Sequence, residues 1–298
     1  MNLLSIDIGG TFIKYAILDD DLTILKHWMK PTKKLKDKNE FYDYVCEDLD
    51  MENIRFVGVS APGVIDAKAT VISKAATNVQ AMYLSNVNVE INNRLNVPVQ
   101  TINDGKSAGY CEMKIGNGKD SKSSAYFIIG TGIGGCLCLG EQLIEGVDRI
   151  AGEFSNLPVG FYKDKPSKII GLSKIASMTA LVESYNQKAN TQFMLGKVII
   201  DRYLQGEELA KEVLDDWCKN IVMGLYMIVV MYNPEIICIG GGISEEDWFI
   251  KKIKDVFYNK VQSISEPTIH TKIQRCKFNS NANLLGAALY AKDTLTLA

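Results

Sequence analysis

The chain opens on short apolar runs cut by glycine, not on helical spacing. Leu3, Leu4, Ile6 and Ile8 lead into two glycines, and an alternating run restarts at Phe12, Ile13, Tyr15 and Ile17. Such runs predict strand, tight turn, strand. A third strand is predicted at 22–28, beyond the Asp19-Asp20-Asp21 turn, and an amphipathic helix at 41–49 after a lysine-rich exposed connection at 31–39. Further strands are expected at 54–59 and 97–102, with helices at 87–95 and 107–114. The glycine-rich polar run at 116–121 is the best candidate for a domain boundary.

A second strand–glycine–strand unit follows it, with strands at 125–129 and 136–139 and a Gly/Thr turn between, roughly 120 residues after the first. The echo implies a duplicated fold. From 172 onward the pattern turns helical, at 172–186, 197–204 and a long 207–231, with Leu209, Val213, Leu214, Trp217, Ile221 and Leu225 on its buried face. Asn233-Pro234 stops that helix. A strand at 235–239 runs into Gly240-Gly241-Gly242, and Ser244 with Asp247 three residues on reads as a capping box opening another helix. An alanine-rich helix at 281–291 closes the pattern.

Composition narrows the function classes. A 298-residue chain with net charge −2 has no general pull toward nucleic acid or an anionic membrane. Its longest apolar run, around 221–231, is about half a membrane span. The seven cysteines are scattered, several within apolar runs, which fits reduced core thiols in the cytoplasm. No signal peptide is read at the start.

The candidate chemistry gathers at strand ends. In IDIGGTFIK at 6–14, Gly9 and Gly10 let backbone N–H groups approach an anion, Thr11 adds a hydroxyl and Lys14 a charge, and Asp7 could hold a divalent cation through water. An ordinary hairpin explains the glycines equally well. Asn103-Asp104 lies between a strand and a helix, where a carboxylate serves chemistry or an N-cap. Gly130-x-Gly132-x-x-Gly135 matches the dinucleotide pattern letter for letter, yet the β-like run at 136–139 follows instead of a helix, so that reading is rejected. Cys136 and Cys138 have no second Cys or His pair nearby, which argues against a metal there. Three glycines before a helix leave backbone open to a nucleotide. Asn78, in a polar loop, and Glu153, alone after Gly152, are further candidates.

Taken in order, Asp7-Ile8-Gly9-Gly10-Thr11, Asn103-Asp104, Gly130-Thr131-Gly132-Ile133-Gly134-Gly135, Gly152-Glu153, Gly240-Gly241-Gly242 and Leu285-Gly286-Ala287-Ala288 resemble the ROK family of sugar kinases and sugar-responsive repressors, over residues 3–291. The resemblance implies an α/β chain of two ribonuclease-H-like domains of the actin/hexokinase superfamily with a cleft between them. The N-terminal domain would cover 1–117, joined by a C-terminal helix at 283–298, and the second domain 118–282. It implies an ATP- and Mg²⁺-dependent kinase acting on a sugar 6-hydroxyl. Asp7 would be the magnesium-associated acid; Gly9, Gly10, Thr11 and Lys14 the first phosphate loop; Thr131, Gly132 and Gly134 the second; Gly241 and Gly242 the adenosine motif. Asn78, Asn103 and Glu153 would bind sugar, and Asp104 would be the catalytic base. A homodimer is a family-based expectation.

Departures from the family pattern bear on the substrate. Zinc-bearing members carry Gly-Glu-x-Gly-His and a cysteine cluster; here Asn156 stands at the histidine, and no cysteine lies between 153 and 180. No structural zinc is expected. A glutamate that contacts sugar in glucokinases falls near Ser173. Both changes suit a substrate other than free glucose, such as a β-glucoside or an N-acetylhexosamine. The alternative function is a family regulator that senses sugar without kinase activity. A repressor is disfavoured, because the first glycine motif begins at residue 7 and leaves no room ahead of it for a DNA-binding domain.

Overall fold

The computed structural model describes residues 1–74, 77–260 and 269–296, with the side chains of Thr77, Asn78 and Lys260 outside that description. Contacts divide the chain into two units: residues 1–116, 143–151 and 280–298 form the first, and 117–142 and 152–279 the second.

In the first unit, β1 (Asn2–Ile8), β2 (Phe12–Leu18) and β3 (Ile24–Pro31) form an antiparallel meander. After α1 (Lys38–Cys46), β4 (Ile54–Ala61) pairs parallel with β1. After α2 (Val87–Leu95), β5 (Val99–Asn103) pairs parallel with β4. The sheet order is therefore β3-β2-β1-β4-β5, and α3 (Asp104–Ile115) leaves directly from its last strand. Ile6, Ile8, Ile13, Tyr15, Phe41, Val57 and Val59 lie in its core.

The second unit repeats this plan. β6 (Ser123–Ile129), β7 (Ile133–Leu139) and β8 (Gln142–Ile144), whose last two residues begin the 143–151 segment counted with the first unit, are sequential neighbours. Next come a small hairpin of β9 (Pro158–Phe161) with β10 (Ile169–Gly171), then α4 (Ser173–Ala176), α5 (Met178–Ala189), α6 (Gly196–Leu204) and α7 (Glu208–Tyr232). β11 (Ile236–Gly240) pairs parallel with β6. After α8 (Asp247–Asp255), β12 (Lys272–Arg275) pairs parallel with β11. The order β8-β7-β6-β11-β12 is the first sheet's 3-2-1-4-5 order again. The duplication read from two glycine turns is thus a duplication of whole sheets.

Three details differ from the sequence reading. The helix expected at 172–186 is broken at Ser177, whose backbone is extended and whose hydroxyl caps α5 by accepting the Ala180 N–H. Ser244 does not cap α8; its hydroxyl turns back within the 3-10 turn Gly242–Glu245 and donates to the Gly241 carbonyl at 2.7 Å. The β9–β10 hairpin and β12 carried too little alternation to be seen.

α9 (Ala282–Thr296) returns from the far end of the sequence to cover the first sheet. A Cβ on Gly286 would sit 1.8 Å from the Ser107 carbonyl oxygen, so only glycine permits that approach to α3. The Leu-Gly-Ala-Ala motif is thereby a packing motif. No helix among the described residues is long and apolar enough to cross a membrane.

Burial pushes the Cys46 and Cys218 thiols up to about 12 from an ordinary 9.0. Tyr15, Tyr42 and Tyr126 are also raised, chiefly by burial. The folded chain holds these groups neutral while the unfolded chain ionises, so their contribution is complete below about pH 9 and is lost as pH rises toward 12. Thermal melts should show a lower Tm at pH 10.5 than at pH 8. An unchanged Tm would contradict that burial.

Candidate active site

In the first unit, register carries the polar residues to one edge. Asp7 pairs with Ser60 across β1–β4, and Ala61 with Asn103 across β4–β5. Asp7, Ser60 and Asn103 therefore step along the carboxyl ends of three parallel strands, where open α/β sheets hold ligands. The Asp7 side chain is 8% exposed. Its Oδ1 accepts from Ser60 Oγ at 2.7 Å and Asn283 Nδ2 at 3.0 Å, and Lys14 Nζ stands 3.9 Å from Oδ2. Lys14 lies opposite Asp7 in the β1–β2 register, so its charge is placed on this carboxylate. The turn between them closes with Gly9 N–H donating to Phe12 O. Thr32 braces it, its hydroxyl donating to Gly9 O at 2.6 Å and its N–H to Thr11 O.

Asn103, not Asp104, is the N-cap of α3: its Oδ1 accepts the Lys106 N–H at 3.0 Å. Its Nδ2 donates to Gly63 O at 2.9 Å and to Asp104 Oδ1 at 3.0 Å. Both amide hydrogens are thereby committed, and toward a sugar hydroxyl only the Oδ1 acceptor remains. Asp104 Oδ1 also accepts its neighbouring Gly105 N–H at 2.7 Å. The carboxylate is thus held by two donors at the start of the helix. Asn78 lies in the 3-10 turn Thr77–Met82, and its side chain falls outside the described residues.

In the second unit, the β6–β7 turn and the triple glycine at the end of β11 are neighbours, because Gly240 pairs with Ile128. β7 follows the first glycines directly, which excludes the dinucleotide turn. Three contacts clamp that turn. Met178 N–H donates to Gly130 O, Thr179 Oγ1 donates to Thr131 O at 2.8 Å, and Ile133 N–H donates to Ser173 Oγ at 3.3 Å. Ser173 thus stands against the glycine turn, 3.3 Å from where a Gly132 Cβ would be. Gly134 lies in β7, paired with Ile128. Gly241 has φ +92°, and a Cβ there would fall 1.9 Å from Ile129 O; Gly242 has open space around it. Glu153 precedes the 3-10 turn Phe154–Asn156 and its carbonyl accepts the Asn156 N–H; the Asn156 side chain is exposed. The same segment meets the approach to Ser173, because Leu172 N–H donates to Leu157 O.

Sequence reasoning missed Asn283, Lys106 and Thr179. Asn283 reaches Asp7 across 276 positions, a partnership no local pattern signals. Thr179 is a threonine beside a helix cap, common enough to carry no signal by itself. Replacing it with valine removes one hydrogen bond to the turn, worth about 1 kcal/mol. If the turn holds nucleotide, KM for ATP should rise about fivefold while KM for the sugar stays constant in steady-state assays.

The chain is similar to several known proteins over most of its length. An uncharacterised protein of Clostridium perfringens is 28% identical over 296 residues, covering 97% of each chain. A β-glucoside kinase of Listeria innocua is 27% identical, again over 97% of each chain. An N-acetylgalactosamine kinase of Shewanella is 27% identical over 95% of this chain and 94% of the relative. Among solved structures, a ROK family glucokinase from Streptomyces griseus in complex with glucose and AMPPNP superposes with a TM-score of 0.84 at 25% identity, covering 98% of this chain and 100% of the other. With its two five-stranded sheets, the chain has the actin/hexokinase-like fold of these ROK sugar kinases. The ROK family match spans residues 3–294, and the chain belongs to the ROK family.

Proposed function

We propose that this chain is an ATP-dependent sugar kinase that transfers the γ-phosphate to the 6-hydroxyl of a hexose, hexosamine or β-glucoside. The reading rests on Asp104, a carboxylate fixed at the start of α3 by Asn103 and the Gly105 N–H. Phosphoryl transfer needs an acceptor hydroxyl aligned with the phosphorus and relieved of its proton late, and positioning supplies most of the rate. Asp104 accepts that proton. Asn103, Glu153, Asn156, Ser173 and Asn78 are the sugar-side candidates. Ser173 has a second duty, because its hydroxyl already holds the glycine turn.

The β6–β7 turn and Gly241-Gly242 take the nucleotide, with Gly9, Gly10, Thr11 and Lys14 on the phosphates. A magnesium ion fits beside Asp7: the carboxylate is ordered by two neutral donors on Oδ1, and the lysine 3.9 Å from Oδ2 leaves that oxygen able to accept a water. When bound, the ion neutralises phosphate charge. No zinc role is assigned, and action in the cytoplasm as a homodimer belongs to the same proposal. Support for substrates beyond glucose comes from the β-glucoside and N-acetylgalactosamine kinases among the relatives.

The test is ADP release coupled to a reporter across glucose, N-acetylmannosamine, N-acetylgalactosamine, cellobiose and methyl β-glucoside. Sugar-dependent ADP release with at least one of them is the expected result. Sugar binding by thermal shift without turnover would instead identify a sensor.

A further inference from the structure

Asn283 is half-buried in the first turn of α9, and its polar groups serve two different elements of the first unit. The side-chain amide donates to Asp7 Oδ1 at 3.0 Å. The main-chain carbonyl accepts from Ser107 Oγ at 2.7 Å. Ser107 lies three residues beyond Asp104 in α3, and its own carbonyl packs against Gly286 of α9. The start of α3 is anchored in turn by Lys106, which is buried and donates from its ammonium to Arg149 O at 2.6 Å. One residue therefore joins the helix that carries the proposed base to the carboxylate proposed to stand beside magnesium.

The amide is placed there at some expense to the helix. Asn is a poorer helix former than Ala, so α9 as a helix would be better served by Ala at 283. What the amide supplies is an orientation. A carboxylate held by one donor turns about that bond, because the terminal torsion of Asp is soft. Ser60 Oγ on β4 and Asn283 Nδ2 on α9 reach Oδ1 from two elements, and two donors match the two lone pairs of that oxygen. The plane of the group is then fixed, and Oδ2 is left to Lys14, at 3.9 Å, and to water. Without Asn283, Oδ1 would keep an open lone pair, and the two oxygens would compete for Lys14.

We propose that Asn283 is a positioning residue that fixes the plane of the Asp7 carboxylate for a magnesium-bound water and ties it to the base-bearing helix, so that it sets how tightly nucleotide is held with magnesium. This rests on the kinase reading and deepens it by one residue. Groups that hold a metal's surroundings from behind commonly carry about 10–100-fold in metal affinity or activity.

The test compares wild type, Asn283→Ala, Asn283→Leu and Ser5→Ala. Each is melted at fixed AMPPNP while MgCl2 is titrated, and each is assayed for sugar-dependent ADP release over the same titration. Ala suits the helix and Leu keeps the volume, so the two substitutions at 283 share only the loss of the donor. Both should raise the magnesium concentration for half of the nucleotide-dependent gain in Tm by about tenfold. Their kcat should fall while KM for sugar holds. Ser5→Ala is the control, because Ser5 is fully buried and its hydroxyl holds the same turn of α9 through Leu284 O at 2.7 Å. It should lower Tm without moving the magnesium midpoint. Wild-type midpoints in both Asn283 variants overturn the inference, as does an equal shift in Ser5→Ala, which would trace the effect to the docking of α9. A wild type whose Tm with AMPPNP ignores magnesium overturns it too. A wild type that turns over no sugar, yet shows a magnesium-dependent gain in Tm with AMPPNP that shifts only in the Asn283 variants, contradicts the kinase reading and leaves the positioning role standing.

Discussion

Asp104→Asn should reduce sugar-dependent ADP release by about 10²–10⁴-fold, the usual loss when a general base is removed. The substitution is nearly isosteric, and Asn keeps an Oδ1 for the Gly105 N–H and for Asn103 Nδ2, which now meet it at 2.7 and 3.0 Å. The start of α3 should therefore survive, and a melt should show it. KM for sugar should change far less than kcat, because the proton is accepted only as the bond forms. A folded variant with turnover near wild type would remove Asp104 from the chemistry. The reaction would then need another carboxylate, and Glu153 would be the next to test.

The second large effect is at the glycines that follow β11. Gly241→Ala places a methyl 1.9 Å from Ile129 O at a backbone φ of +92°. Overpacking and left-handed strain together cost about 2–5 kcal/mol, so Tm should fall by about 10 °C. Gly242→Ala is the matched control. Its added methyl meets nothing within 4 Å, so stability should stay within about 1 kcal/mol of wild type. On the kinase reading its backbone faces nucleotide, and KM for ATP should rise while Tm holds. Equal melts for the two variants would show that Gly241 is not the constraint described.

These two sites were legible because their signals are local. Strand, glycine and carboxylate follow one another within a few residues at 6–14, 103–104 and 240–242, and parallel pairing brings such strand ends together. Long-range partners were not legible. Nothing near Asp7 announces Asn283, and a lysine in the first turn of a helix reads as solvated surface, not as the buried clamp that Lys106 is. The Ser244 capping box failed for a local reason: the same hydroxyl had a nearer acceptor in Gly241 O. Strands of three or four residues, such as β10 and β12, offer too few positions for alternation to be seen. Ser173 marks a different limit. Alignment to a family motif suggested sugar, and its hydroxyl is found accepting an N–H from the glycine turn.

The return of α9 to the first sheet has a consequence for biosynthesis. Ser5 donates to the Leu284 carbonyl, and Asp7 takes Asn283, so the first unit lacks part of its wall until residues 283 and 284 have been translated. The second unit, closed by residue 279, is complete before then. On the ribosome the order of maturation is therefore inverted: the part translated first waits, with its sheet open, for the part translated last. At about 5–20 residues per second that wait lasts many seconds, long enough for holding chaperones to engage the exposed strands.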